Sequence, residues 1–185
     1  MMLRPGPICL LALLLGASPP ACAQASPVSG RSVLSRALGG PMAGVEEVVF
    51  AVRGMGNDGH WYANFGHHVS DANGMMYGPD GGRLCRLNLR TGKLTDLLDD
   101  PRGGVRDPQV HYDGERIVFS YRPGGTRFYH LYEINRDGSG LRQLTDGPYD
   151  DYEPTYLPDG DLVFCSSRCN RFVQCWFTQV AILHR

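Results

Sequence analysis

Two segments of this sequence repeat each other, and this repeat constrains the fold more than any other feature. Residues 107–114 read Asp-Pro-Gln-Val-His-Tyr-Asp-Gly, and residues 153–160 read Glu-Pro-Thr-Tyr-Leu-Pro-Asp-Gly, at a spacing of 46 residues. Each segment leads into an apolar run rich in β-formers, at 117–119 and 162–164. A period of this length, built from strands and turns, indicates an array of similar β-sheet units.

The repeat extends upstream and predicts the fold class. Residues 84–94 align with residues 131–141 at a spacing of 47, and residues 48–53 resemble residues 117–122. A period in the forties with strand-turn-strand units is typical of one four-stranded blade of a β-propeller. We therefore predict an all-β fold, an incomplete β-propeller of about two and a half four-stranded blades.

The blade pattern also predicts how the chain is divided. The predicted parts are a signal peptide at 1–23, a flexible linker at 24–44 and a partial propeller at 45–185, with blade one at about 45–100 including an inserted loop at 54–82, blade two at about 107–146 and the start of blade three at 153–185. Propellers close into rings of roughly four to eight blades, so an array this short cannot close. We expect an N-terminal fragment of a longer protein, or a chain that needs a partner; a small stand-alone β-sandwich is the alternative.

The N-terminus predicts export. A single cation, Arg4, precedes the apolar run 8–15, and small residues for cleavage follow at Ala21-Cys-Ala23 or Ala23-Gln-Ala25. This is the pattern of a secretory signal peptide, and the apolar run is too short to span a bilayer. The predicted location is periplasmic or secreted. Lipid attachment at Cys22 is the alternative, although the leucine usual three positions upstream is missing.

The overall charge argues against one class of partner. The sequence has 18 Lys and Arg against 19 Asp and Glu, a net charge of −1. Nucleic-acid binding depends on a basic surface that neutralises phosphates. We therefore expect no nucleic-acid partner. Because the apolar run 8–15 is too short to cross a bilayer, we also expect no membrane span.

The cysteines leave several chemical states open. Cys85, Cys165, Cys169 and Cys175 lie in the exported part, where oxidising conditions allow disulfides. Their spacing lacks the Cys-x-x-Cys of a structural zinc site, and no Cys-x-x-Cys-His for haem attachment occurs. Disulfides or buried thiols are the first expectation, and metal ligation is the alternative.

The predicted insertion carries the other chemically interesting residues. Residues 56–77 contain His60, His67 and His68 among several aromatic residues. Long loops on a propeller often build binding sites, and imidazoles there can ligate a metal or haem iron or shuttle protons. The alternative is a solvated loop whose aromatics pack over a blade. The sequence has no Gly-x-Ser-x-Gly, phosphate-binding glycine loop or His-Glu-x-x-His, so we predict no catalytic residues.

Two resemblances to known families follow from these motifs. Residues 135–145 and 153–160 resemble the WD-like repeats of TolB-type propellers. More narrowly, three segments resemble exported bacterial proteins related to the middle domain of the hydrazine synthase alpha subunit; they are 58–65, 102–114 and 165–171 with Cys175-Trp176.

The narrower resemblance implies a redox setting. In that family the propeller is joined to c-type haem modules, and the enzyme for which it is named makes hydrazine from nitric oxide and an ammonia-derived species. The resemblance implies that Cys165 and Cys169 are the candidates for metal or haem contact and that His60 is the candidate cofactor-binding residue of the loop.

The sequence thus supports two functions. The first is an exported propeller scaffold or binding module of the hydrazine synthase alpha middle-domain type, non-catalytic by itself, with the remaining blades or a partner protein as its partners. The second is part of a periplasmic multihaem c-type oxidoreductase whose haem modules lie beyond residue 185. We expect no cofactor in this fragment, and haem c or a metal ion in the full-length protein.

Overall fold

A computed structural model describes residues 30–54, 81–172 and 180–185. The chain forms two compact units, Met1–Ala43 and Gly44–Arg185. The predicted signal peptide at 1–23 lies outside the described residues. No helix in the described ranges is long and apolar enough to cross a membrane.

The described part of the first unit contains one helix, α1, at Gly30–Leu38. It lies within residues 24–44, which the sequence predicts to be a flexible linker; nine of these residues are helical, and the division of the chain into linker and propeller stays a prediction. Leu34 and Leu38 are four residues apart and therefore share one helix face, and Gly39 and Gly40 follow the last turn. The abundance of Ser, Gly and Ala in this segment concealed the short apolar pattern.

The second unit is built from three antiparallel sheets. Sheet one consists of β1 (Glu47–Arg53), β2 (Gly82–Asn88) and β3 (Leu94–Asp100); sheet two of β4 (Gly104–Val110), β5 (Arg116–Arg122), β6 (His130–Asn135) and β7 (Arg142–Gln143); and sheet three of β8 (Asp151–Tyr156), β9 (Leu162–Ser166) and β10 (Ile182–His184). In each sheet the strands pair in sequence order. This confirms the predicted all-β class.

The duplicated segments occupy equivalent places in sheets two and three. Each begins in the first strand of its sheet, at an irregularity in the pairing with the second strand, between Arg106 and Gln109 in β4 and between Tyr152 and Thr155 in β8. Asp107 has a φ of 55° and Glu153 a φ of 54°. A proline follows each acidic residue and cannot donate to the strand ladder, so a bulge is the natural place for this pair.

The core between sheets one and two is apolar. Leu84 of β2, Val105 of β4 and Phe119 of β5 are fully buried in one cluster. Gly82 permits the close approach of the sheets, because a Cβ atom there would lie 2.5 Å from the backbone nitrogen of Val105. The sheets therefore pack face to face through the alternate, inward-pointing side chains of each strand.

Candidate functional site

Charged side chains meet where the first strands of sheets two and three lie together. Arg106 is only 2% exposed, and its Nε lies 2.7 Å from Oδ2 of Asp107. Its Nη2 lies 3.7 Å from Oε1 of Glu153 in the next sheet. We call Arg106, Asp107, Ser120, Glu153 and Cys165 the first-strand cluster. A buried guanidinium requires such carboxylates, because an uncompensated charge is costly away from water.

Two tyrosines cover the buried guanidinium. The Cζ atom of Arg106 lies 5.9 Å from the ring centre of Tyr129 and 5.3 Å from that of Tyr152. These are distances at which a cation is attracted to an aromatic face. Burial raises the pKa of both phenols, so both remain protonated at neutral pH. The tyrosines therefore pack against Arg106 and do not act as bases.

Asp107 links the two sheets through hydrogen bonds. Its Oδ2 accepts hydrogen bonds from the hydroxyl of Ser120 at 3.3 Å and from the backbone N–H of Glu153 at 3.3 Å. The same N–H lies 3.2 Å from the Ser120 oxygen. The strained, left-handed backbone at Glu153 is thus held by a carboxylate and a hydroxyl from the preceding sheet.

Cys165 occupies in sheet three the place that Ser120 has in sheet two. Each pairs with the residue directly before the acidic-Pro pair, Ser120 with Arg106 and Cys165 with Tyr152. Burial raises the pKa of the Cys165 thiol, and the negative charge of Glu153 and a hydrogen bond to it raise it further. The thiol therefore stays protonated at neutral pH. A protonated thiol is a poor nucleophile and a poor metal ligand.

The other two described cysteines are also free thiols. Sγ of Cys169 donates to the carbonyl oxygen of Val180 at 3.0 Å. Cys85 is buried, and its Sγ lies 3.2 Å from Oδ1 of Asp96. Burial and this hydrogen bond raise the pKa of Cys85 to about 11. Cys85 is therefore a buried thiol, one of the two states expected first.

The sequence-predicted site residues are only partly described. Cys165 lies in β9 and Cys169 in the turn after it, whereas His60 and Cys175 lie outside the described residues. In residues 30–54, 81–172 and 180–185, no three His, Cys, Asp or Glu side chains come close enough to hold a metal ion. The metal role of Cys165 and Cys169 and the cofactor role of His60 stay predictions.

A buried carboxylate, that of Asp151, lies on β8, the strand that also carries Glu153. Asp151 is fully buried, and its Oδ1 accepts a hydrogen bond from Arg168 at 2.9 Å. Nδ1 of His130 lies 3.8 Å from Oδ2 of Asp151. Burial alone would raise the pKa of Asp151, but its polar partners, among them the hydrogen bond from Arg168, outweigh burial and lower the pKa. Asp151 is therefore ionised at neutral pH and pairs with Arg168.

A small open cleft of about 240 Å³ lies beside sheet one, where β1 ends and β2 begins. Arg53, Arg83 and Asp99 contribute its charged side chains, and Gly81, Gly82 and Pro101 contribute much of the remaining wall. Arg83 lies 3.3 Å from Asp96. The cleft adjoins the two ends of the predicted insertion, whose residues 55–80 lie outside the described residues.

Sequence reasoning identified the acidic-Pro pairs but missed Arg106. The repeat places Tyr152 at the equivalent position, so comparison of the two units does not single out an arginine there. The available signal was its position directly before the acidic-Pro pair, within the run Val105-Arg-Asp-Pro108.

Antiparallel sheets with repeated first strands define a protein of the β-propeller class. The comparisons agree. Hydrazine synthase subunit alpha of Kuenenia stuttgartiensis is 28% identical over 144 residues, which cover 74% of this chain and 16% of that protein. A structure of Kuenenia stuttgartiensis hydrazine synthase matches with a TM-score of 0.50 and 23% identity, over 66% of this chain and 18% of that one.

A structure described as TolB from Agrobacterium tumefaciens matches with a TM-score of 0.41 and 28% identity, over 46% of this chain and 30% of that one. No family model matches the chain. The resemblance to the hydrazine synthase alpha subunit is confirmed by the sequence match, and the hydrazine synthase structure shows a propeller-type fold. The chain spans about a sixth of the length of that relative.

Proposed function

We propose that this chain is an exported propeller scaffold or binding module of the hydrazine synthase alpha middle-domain type, and that it is non-catalytic by itself. The observation that carries the proposal is that the first-strand cluster joins sheet two to sheet three. Arg106 and Asp107 bind each other, and Asp107 also accepts from the neighbouring sheet. These polar groups hold one blade against the next and leave the loops to contact other molecules.

The protonation states of the cluster support the same role. The thiol of Cys165 has a raised pKa, and so do the phenols of Tyr129 and Tyr152. A general base or nucleophile needs a pKa near the working pH or an activating partner. Groups held in their neutral form by burial are suited to packing and hydrogen bonding.

The proposal includes a setting and a partner. The predicted signal peptide supports a location in the periplasm or outside the cell, and the proposed partners are the remaining propeller blades or another protein. The much greater length of the hydrazine synthase relative supports this, because the match covers 16% of that protein.

A second candidate function is part of a periplasmic multihaem oxidoreductase, and the sequence match to hydrazine synthase subunit alpha favours it. The residues of this chain do not by themselves fit a c-type haem, because no Cys-x-x-Cys-His occurs in the 185 residues. Haem modules would then lie in another part of the assembly. In that case Cys165, Cys169 and His60 would supply the contacts of this chain to haem or metal.

Periplasmic expression with haem maturation tests whether this chain by itself contacts haem or metal. The full 185-residue chain is produced with its own leader in a host that attaches c-type haem, and the periplasmic fraction is purified. We expect no Soret absorption and no stoichiometric metal by elemental analysis. A Soret band or one bound metal per chain that is lost in Cys165→Ser or Cys169→Ser would overturn the scaffold proposal. Chain found only in the cytoplasm would overturn the export proposal.

A further inference from the structure

Three leucines occupy the same place in the three sheets, but only two of them are buried. The strands β1, β2 and β3 of sheet one correspond to the second, third and fourth strands of sheet two. In this numbering each leucine lies on the third strand and pairs with a residue of the second: Leu84 with Ala51, Leu131 with Ser120 and Leu183 with Cys165. Leu84 and Leu131 are 0% exposed, whereas Leu183 is 71% exposed. The fold therefore presents on sheet three an apolar side chain that it buries on the other two.

The next sheet explains the burial of the first two leucines. Leu84 packs in the core cluster that contains Val105 of sheet two. On sheet two, Leu131 lies two residues before Glu133 on β6. The Glu133 carboxylate accepts a hydrogen bond from the Tyr156 hydroxyl of sheet three at 2.8 Å. Alternate residues of a strand share one face, so Leu131 lies on the face that meets sheet three. Leu183 lies on the corresponding face of sheet three.

The polar residues of this face also have counterparts in sheet three. In sheet two, Asp107 and Ser120 together receive the backbone N–H of Glu153 from the next first strand. Their counterparts in sheet three are Glu153 and Cys165. The side chain of Glu153 is 49% exposed, although its backbone N–H contacts sheet two. An acceptor and an apolar side chain thus stand at the places that receive a neighbouring sheet elsewhere in the chain.

We propose that the open face of sheet three, formed by Glu153, Val163, Cys165 and Leu183, docks a further propeller blade whose first strand carries an acidic-Pro pair. The backbone N–H of its acidic residue donates to the Glu153 carboxylate, and its apolar side chains cover Leu183. The inference continues an interface that this chain already forms twice. It rests on the proposed scaffold function and names the partner of that scaffold.

A second copy of this chain is a poorer occupant. Among the described residues, acidic-Pro pairs occur at Asp100-Pro101, where β3 ends, and in the first strands β4 and β8. Both first strands are already packed against neighbouring sheets. The described strands of sheet one correspond to the second, third and fourth strands of sheet two, and none contains such a pair. In the part of the chain that the structure describes, a second copy therefore offers no available first strand of the required kind.

An extended chain tests the docking directly. The strand registers make Arg185 the counterpart of Arg86, so a copy of residues 87–146 placed after Arg185 continues the repeat and supplies a fourth strand followed by a complete blade. This copy contains no cysteine, so Cys165 of the parent part can be followed by maleimide labelling and peptide mass analysis. We expect labelling of Cys165 to slow about tenfold in the extended chain, because docking closes access to the thiol.

Leu183→Asn is the matched variant. In the original chain it should leave the thermal midpoint unchanged, since Leu183 is exposed, whereas Leu131→Asn should lower it. In the extended chain Leu183→Asn should remove most of the protection of Cys165. A second extension, with a copy of residues 134–185 whose cysteines are changed to serine, provides Glu153-Pro154 as the incoming pair and guards against misfolding of the first.

If both extended chains melt cooperatively and Cys165 is labelled in each as fast as in the original chain, the proposal is overturned. Protection of Cys165 in the original chain that rises with protein concentration, together with a dimer in sedimentation, would assign the face to a second copy and also overturn it. Neither result depends on haem or metal content. Failure of the docking and failure of the scaffold function are therefore separately visible.

Discussion

The carboxylate of Asp107 accepts a hydrogen bond from the backbone N–H of Glu153, the residue that occupies the same position in the next sheet, at 3.3 Å. Both residues have a left-handed φ and both precede proline. One acidic residue of the repeat thus holds the backbone of the next. The acidic-Pro pair is therefore a structural device of the blade junction, which accounts for its recurrence at 46 residues.

Asp107→Asn should destabilise the fold. The substitution keeps the size of the side chain but leaves the buried guanidinium of Arg106 beside a neutral amide. We expect the free energy of unfolding to fall by about 1–3 kcal/mol, because removing one partner of a buried ion pair is costly and Asp107 is partly exposed. Urea denaturation measures the change. Asp159→Asn, at the exposed pair with Arg185, should change it by less than about 0.5 kcal/mol, and equal effects would contradict this account.

Backbone conformation at residue 153 should decide which substitutions are tolerated. Glycine adopts a φ of 54° without strain, whereas a β-branched side chain does not. We expect Glu153→Val to be less stable than Glu153→Gly by about 1–2 kcal/mol in thermal or urea unfolding. At Thr155, on the same strand and outside the left-handed residues, the order should reverse, because valine favours strands. Valine preferred at both positions would show that the backbone at Glu153 is not constrained.

The repeat made the sheets predictable from the sequence. The acidic-Pro pair, the Asp-Gly turn and the apolar run Ile117-Val-Phe119 each have a local physical cause, and they recur in order. The burial of Arg106 was not predictable in this way. It depends on Tyr129 and Tyr152 from elsewhere in the chain, and the repeat gives no information on a residue that differs between its copies.

The state of the cysteines was unpredictable for a related reason. Whether a thiol is buried or paired depends on which strands become neighbours in space. Cys85 lies opposite Asp96 only because β2 pairs with β3 with a shift in register after Leu84. The sequence shows both residues but not this register.

Acid should weaken the junction between sheets one and two through Asp100. Its Oδ2 accepts a hydrogen bond from the hydroxyl of Tyr121 at 2.7 Å and from the backbone N–H of Gly124 at 2.8 Å. Burial would raise the pKa of Asp100, but these hydrogen bonds and two from the following turn lower it below 3.8. A lowered folded-state pKa means stability that is present above the unfolded value and is lost as pH falls through the folded value.

We therefore expect Asp100→Asn to lower the stability at pH 7 and to flatten its decline below about pH 4. Tyr121→Phe should cost about 1–2 kcal/mol at pH 7 through the lost hydrogen bond and should also flatten the acid limb. Urea denaturation between pH 2.5 and 7 measures both. Asp146→Asn, 46 residues after Asp100, tests whether the effect is specific to this junction. Parallel pH profiles for Tyr121→Phe and the original chain would exclude the Tyr121 contribution.

The reactivity of Cys165 should depend on Glu153. Burial is the main cause of the raised pKa of this thiol, but the charge of Glu153 and the hydrogen bond to its carboxylate also raise it. Glu153→Gln removes the charge, so the pKa of Cys165 should fall and a larger fraction should be thiolate at pH 8. We expect iodoacetamide alkylation of Cys165, followed by peptide mass analysis, to accelerate about threefold or more, since each pKa unit is a tenfold change in thiolate. Cys85 provides the internal control, because its raised pKa of about 11 follows from burial and Asp96. An unchanged rate at Cys165, or an equal increase at Cys85, would show that Glu153 does not hold this thiol in its protonated form.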